Sequence, residues 1–385
     1  MRARLVVFWV LAGSLVVAGM PVARAGGGPE WVREPGGTLE AATVGSGGAV
    51  YVTGSIWTPH HYDHAMVVTK LGPQGGVYWR HTWRLGSRGW NETGTALAPA
   101  PGGGVYVGGS AGRWECGTPI LMRLSASGTV LWRQELPNPE CYGSVASLDS
   151  NADGVVAAVS SEGCCAIFDH DGYVQAVTPD GRLRWRTDFE VPGIADNWDS
   201  ARGVALGTDG SVYVAGEVDR GAWSGEGPLP AEDIVVQRLS PAGRVEWTRI
   251  RSDDGWRDRD EAWDIDVKGG IVVVAGSDGD RRWNHSRAWL GAFGTDGRGL
   301  WSRRWGQGEL QRDATAVVLA PWGPIYVGAD RYHRTTEPSL QRWAVDGTLV
   351  RERRLEPNEY GGITDIATGR EVFLTVGRRL ERWSR

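Results

Sequence analysis

Lysine is almost missing: Lys70 and Lys268 are the only two in 385 residues, and arginine supplies the rest of the basic side chains. That bias is typical of a G+C-rich, bacterial genome. Acidic residues outnumber basic ones by 46 to 41, so the chain offers no basic face for nucleic acid. No helical period runs anywhere in the chain, which excludes a helical bundle. No glycine-rich phosphate loop follows a strand and opens a helix, and no serine, histidine and aspartate set can be assembled from spacing. No apolar run after residue 25 is long enough to span a bilayer. Cysteine is limited to Cys116, Cys141, Cys164 and Cys165, an even number that permits two disulfides in three connectivities.

The first 25 residues do hold an apolar run, LVVFWVLAGSLVVAGM, after Arg2 and Arg4 and before Ala23-Arg24-Ala25. This is the pattern of a secretory signal, and the small-residue ending favours cleavage over an uncleaved anchor. Residues 1–25 are therefore expected to be removed, leaving 26–385 as one secreted or periplasmic domain with no membrane span. Losing Arg2, Arg4 and Arg24 takes the formal charge from −5 to −8.

What the sequence has in abundance is repetition. A glycine followed four residues later by tryptophan recurs as GGVYW (75–79), GTVLW (128–132), GRLRW (181–185), GRVEW (243–247) and GRGLW (297–301), with a worn copy, GTLVR, at 347–351. Before each phrase stands a β-rich segment, and before that a strand such as AVYVTG (49–54), GVYVGG (104–109) or SVYVAG (211–216). A strand of small residues leads each unit: AATV, TALAP, VASLD, GVALG, WDIDV, TAVVL and ITDIA. Four strands in about 50 residues, repeated with turn punctuation, form the blade of a β-propeller, and the small residues suit strands crowded at its axis. The expectation is an all-β, seven-bladed propeller of four-stranded antiparallel blades. Blades fall near 41–86, 94–137, 143–190, 201–252, 262–306, 314–356, and 363–385 completed by 27–36. The last unit has only three strands, and GGPEW (27–31) repeats the glycine-to-tryptophan spacing, so residues 28–35 are expected to pair with 378–384 and close the ring.

Trp31, Trp79, Trp132, Trp185, Trp247 and Trp301 share one position in successive units, so they are expected to pack between neighbouring sheets. Trp57, Trp114, Trp198, Trp223, Trp256 and Trp283 lie in loops instead. Connections from second to third strand and from blade to blade emerge on one face, which collects the length variation, aromatics, histidine and cysteine. His61, Asp63, His64, Trp114, Trp198, Trp223, Trp256, Trp283, His285, Tyr332, His333 and Tyr360 are the candidate contacts there. His60, His61, Asp63 and His64 are metal-ligand types, but their spacing matches no motif that fixes a geometry, and no metal is expected. In SDDGWRDRDEAW the carboxylates alternate with Arg257 and Arg259, a pattern of internal ion pairs more than of a calcium loop. Cys116 or Cys141 bridges to Cys164 or Cys165, or Cys116 joins Cys141 and the adjacent pair closes on itself.

DIVVQRLSPAGRVEW (233–247) and MVVTKLGPQGGVYW (66–79) resemble the seven-bladed propeller repeat family called SBBP, whose units run strand, Lys-Leu-x-Pro-x-Gly turn, strand, then a VYVTG-like strand. The pattern weakens where Ala176, Ala292 and Arg342 stand at the lysine position. PDGRLRW also resembles the tryptophan-docking phrase of propellers related to pyrroloquinoline quinone enzymes. These resemblances imply the fold and export; the aromatic rings beside polar groups on the loop-rich face lead to the expectation of a binding or scaffolding protein with a protein or glycan partner, a monomer without cofactor. The alternative they leave open is an enzyme, either a quinone-dependent dehydrogenase or a glycan lyase or hydrolase.

Overall fold

A computed structural model describes residues 28–59, 63–84, 91–113, 116–138, 142–162, 170–192, 198–219, 232–252, 258–280, 285–306, 311–332, 335–357 and 361–384. Residues 1–25, expected to be a secretory signal, lie outside them. The described residues are almost wholly antiparallel sheet, and none of their helices is long and apolar enough to cross a membrane.

The strands Thr38–Val44, Val50–Thr58, Asp63–Leu71 and Val77–Trp83 pair in sequence order, and the same four-step meander repeats along the chain. Four-stranded sheets span 38–83, 91–135, 142–188 and 311–354, and the sets 198–251 and 258–305 are joined by a parallel bridge between Glu232 and Arg259. One more sheet consists of Ile363–Thr368, Val372–Val376 and Arg379–Trp383, with Trp31–Arg33 as its outer strand. Its register pairs Trp31 with Arg382, Val32 with Glu381 and Arg33 with Leu380. At this junction Arg382 holds Glu30 at 3.0 Å and Glu371 at 3.3 Å, and donates to the Pro73 carbonyl of the first sheet.

Neighbouring sheets are locked by the tryptophans. The indole N–H of Trp79, Trp132, Trp185, Trp247 and Trp301 donates to the carbonyl of Ala126, Pro179, Pro241, Thr295 and Val345, each in the hairpin turn of the next sheet, at 2.8–3.1 Å. The ring lies against that turn's glycine, and there the spacing acquires its reason. Gly128, Gly181, Gly243, Gly297 and Gly347 all have positive φ, and a Cβ on any of them would enter the preceding sheet's ring or its neighbour. Trp31 sits the same way against Gly75, with Arg33 donating to the Gly75 carbonyl at 3.0 Å. Buried hydrophobic clusters fill the gaps between sheets, one of them shared by Trp31, Leu39, Val50, Phe373 and Leu380.

The first strand of every sheet lines one cavity of 340 Å³. In each of these strands the register slips by one residue at an equivalent place, leaving Glu40, Thr95, Ala146, Arg202, Trp263, Thr315 and Thr364 as bulged residues. Three of them stitch sheets together: Thr95 donates to the Val145 carbonyl, Thr315 to Ile363 at 2.7 Å and Thr364 to Leu39 at 3.0 Å. The residues just beyond the bulge do the same with acceptors. Asp264 accepts from Val317 N, Asp266 from Leu319 N, Asp149 from Leu206 N and Asp365 from Ala42 N, at 2.6–2.8 Å. Adjacent first strands are too far apart for a backbone ladder, and these side chains serve backbone N–H groups that would otherwise be buried without partners.

Candidate functional site

One end of the sheets is uniform. Short turns such as 72–76, 125–129, 178–182, 240–244, 294–298 and 344–348 close with the same pair of backbone hydrogen bonds, the first residue's N–H to the fifth carbonyl and the fourth N–H back to the first carbonyl. The other end carries the connections of unequal length, from Arg113 to Cys116 up to Asp219 to Glu232. The candidate contacts lie at this second end.

Among them, Asp63 and His64 part company, as adjacent residues of a strand must. Asp63 is buried and accepts from Arg84 and Thr58. His64 turns to the other side, where its ring meets Trp57 edge-on at 5.2 Å and Nδ1 lies 3.4 Å from Ser55 Oγ. The two do not converge on a point, and His60 and His61 lie outside the described residues. Trp57 is 48% exposed, a large aromatic surface at this end. Tyr332 ends the strand Ile325–Tyr332 and hydrogen bonds Asp330. Trp198 and His285 open strands, but their side chains fall outside the description, as do Trp114, Trp223, Trp256, Trp283, His333, Tyr360, Cys141, Cys164 and Cys165 entirely. Cys116 is exposed and carries no disulfide among the described residues.

A feature that sequence reasoning missed is an arc of buried charge at the same end. Arg202 binds Glu217 at 2.8 Å and stands 5.4 Å from the centre of the Trp263 ring. Arg259 bridges Glu232 at 3.1 Å and Glu261 at 2.7 Å. Arg251 pairs with Asp260 and Asp278, so of the acidic segment Asp260 and Glu261 are ion-paired, Glu261 with the interleaved Arg259; Asp253, Asp254, Arg257 and the side chain of Asp258 lie outside the described residues. Asp313 accepts from Ser286 and Gln311 at 2.6 and 3.1 Å, and Asp330 accepts from Ile363 N at 3.1 Å. Burial pushes Glu261 up to about 7, with Arg259 opposing and Glu217 and Glu232 adding to it. Burial likewise raises Asp330 to about 7, against the Ile363 N–H and with help from Asp313. Glu217 is raised by burial, which Arg202 opposes. The arginines interleaved in SDDGWRDRDEAW pointed to ion pairs in general, of which Arg259 with Glu261 is one; the pairing of Arg259 with Glu232 and that of Arg202 with Glu217 join different strands.

The acids along the cavity are shifted in the same direction. Asp149 and Asp365 rise to about 6 and Asp264 rises well above the ordinary range, through burial that two backbone N–H donors each only partly offset. Among the described residues, no three histidine, cysteine, aspartate or glutamate side chains converge closely enough to hold a metal ion.

No family model matches the chain, and no curated protein matches it. Solved structures do. The WD40 β-propeller domain of Doa1 aligns over 94% of this chain and 98% of its own length, at a TM-score of 0.59 and 11% identity. The fold is a β-propeller. Chaetomium thermophilum Sqt1 aligns over 93% of this propeller and 98% of itself at a TM-score of 0.53 and 11% identity. A protein of unknown function from Dyadobacter fermentans covers 77% of this chain and 96% of itself at a TM-score of 0.54 and 10% identity. Identities this low carry the propeller fold and nothing about what it binds.

Proposed function

We propose that the chain is an exported propeller of seven blades, its ring closed by the N-terminal strand, and that it works as a binding or scaffolding module through its loop-rich face. Three observations support the closed ring: the Trp31–Arg33 pairing with Arg379–Trp383, the Asp365 carboxylate accepting from Ala42 N, and the Trp31 contact on Gly75. The partner is a protein or a glycan. The observation that carries the binding reading is one-sidedness: a face of near-identical turns opposite a face of unequal connections bearing Trp57, His64 and Tyr332. Aromatic rings beside polar groups on a rigid frame are the usual makings of a recognition surface.

The enzyme alternative has less support, because the carboxylates of the arc are held by arginines, a backbone N–H or, at Asp313, the Ser286 hydroxyl and Gln311 amide. Immobilised protein, presented with the culture fluid or periplasm of its source, tests the reading. Joint replacement of Trp57, Trp198, Trp223 and Trp256 by alanine should abolish retention of the partner, while replacing exposed Tyr78 and Leu183 near the plain face should not. Equal retention by both variants would overturn it.

A further inference from the structure

We infer that the central cavity is a binding site for an extended alkylammonium group, supplied by a free aliphatic diamine or by a lysine side chain of a peptide. The inference does not rest on the outward loop face. Of the other bulged positions around the cavity, Thr95, Thr315 and Thr364 stitch sheets, Arg202 stands against the Trp263 ring and Ala146 is small, whereas Glu40 is the one carboxylate among them. Glu40 lines the cavity half-buried, and makes no hydrogen bond or ion pair with any described residue. It does no stitching, so its carboxylate has no structural task.

Further carboxylates stand below it in register. Asp264 and Asp365 occupy the position after the bulge, and Asp149 and Asp266 the position two residues further along their strands. At about 3.3 Å per residue, the acids cover a depth of about 10 Å. The one arginine on the wall, Arg202, is already engaged by Glu217 and by the Trp263 ring. Burial keeps Asp264 well above the ordinary carboxylate range, so it adds an acceptor, while Glu40, Asp149, Asp266 and Asp365 spread negative charge along the cavity with no further cation on its lining. Because no three of the described acids meet at one point, a bare metal ion finds no coordination shell there, whereas a slender chain ending in ammonium groups meets carboxylate oxygens at successive depths. The methylene segments lie against Ala41, Ala96 and Ala98, which leave room at the axis.

The test is calorimetric titration of the mature chain with 1,4-diaminobutane, 1,5-diaminopentane, a short lysine-containing peptide amide, and 1-butanol as the uncharged control. Binding by at least one ammonium probe is expected, with none by butanol, and Glu40→Gln should weaken it by about tenfold or more. The diamines binding more tightly than the peptide would assign the free amine as the source, and the reverse order would assign a partner's lysine. Glu40→Gln should melt no lower than the parent, since nothing described leans on Glu40. Absence of binding by every ammonium probe up to about 10 mM, or affinity unchanged in Glu40→Gln, would overturn the inference.

Discussion

Gly243 and Gly210 share a φ of +79° and sit in the two hairpin turns of the same blade, but only Gly243 has a tryptophan beneath it. A Cβ on Gly243 would lie 2.6 Å from Cδ2 and Cε3 of Trp185, whereas on Gly210 it would meet nothing closer than Pro241 Cγ at 3.4 Å. Alanine at either position pays about 1 kcal/mol for the left-handed backbone. At Gly243 it must also displace the indole, an overpacking cost of about 1–3 kcal/mol, and strain the Trp185 N–H bond to Pro241, worth about 1 kcal/mol more. Gly243→Ala should therefore destabilise by about 3–5 kcal/mol and Gly210→Ala by about 1 kcal/mol. For a chain of this size that separates their melting temperatures by about 3–5 °C in calorimetry. Combining Gly243→Ala with Trp185→Ala should cost less than the sum of the two, because the clash vanishes with the ring. Equal losses at the two glycines, or strict additivity in the double variant, would refute the idea that the Gly-to-Trp phrase is a docking device between blades.

Other outcomes follow from the charges. Glu261, Asp330, Asp149 and Asp365 all have folded pKa values above their unfolded ones, so the folded state binds the extra protons; stability should rise as pH falls from about 8 to 5, and a melting temperature that falls over that window would contradict it. Asp365→Asn removes a buried charge but keeps only one of the two acceptors that Ala42 N and Ile366 N use, so at pH 8 it should lose less stability than Asp365→Ala, which leaves both N–H groups unmet and should lose about 1–3 kcal/mol by denaturant titration. Arg259→Met strands Glu232 and Glu261 together and should cost about 3 kcal/mol at pH 8, with the loss shrinking at pH 5 as the carboxyls protonate.

The repeat phrases were legible because each is local: a turn glycine with positive φ, a strand, and a tryptophan at fixed spacing, with only its partner in the next blade hidden. The pairing of Trp31–Arg33 with Arg379–Trp383 was legible for the same reason, since GGPEW carries the phrase without its preceding hairpin. The bulges were not. Glu40, Thr95, Ala146, Arg202, Trp263, Thr315 and Thr364 share no residue type, and the slip comes from how each first strand meets the second and crowds the axis. The alternating aspartates of WDIDV read as strand, but their task of receiving N–H groups from the next blade needs a neighbour about 50 residues away. The arc of Arg202, Glu217, Glu232, Arg259 and Glu261 is likewise a product of blade packing.

The closed ring is tested most directly by deleting residues 26–36 from the mature chain and measuring melting together with sedimentation velocity. The account predicts a melting temperature lowered by many degrees and a shift from monomer to larger species, as the Arg379–Trp383 edge and the docking surface around Gly75 are laid open. A truncated chain that melts with the parent and sediments as a single monomer would contradict it.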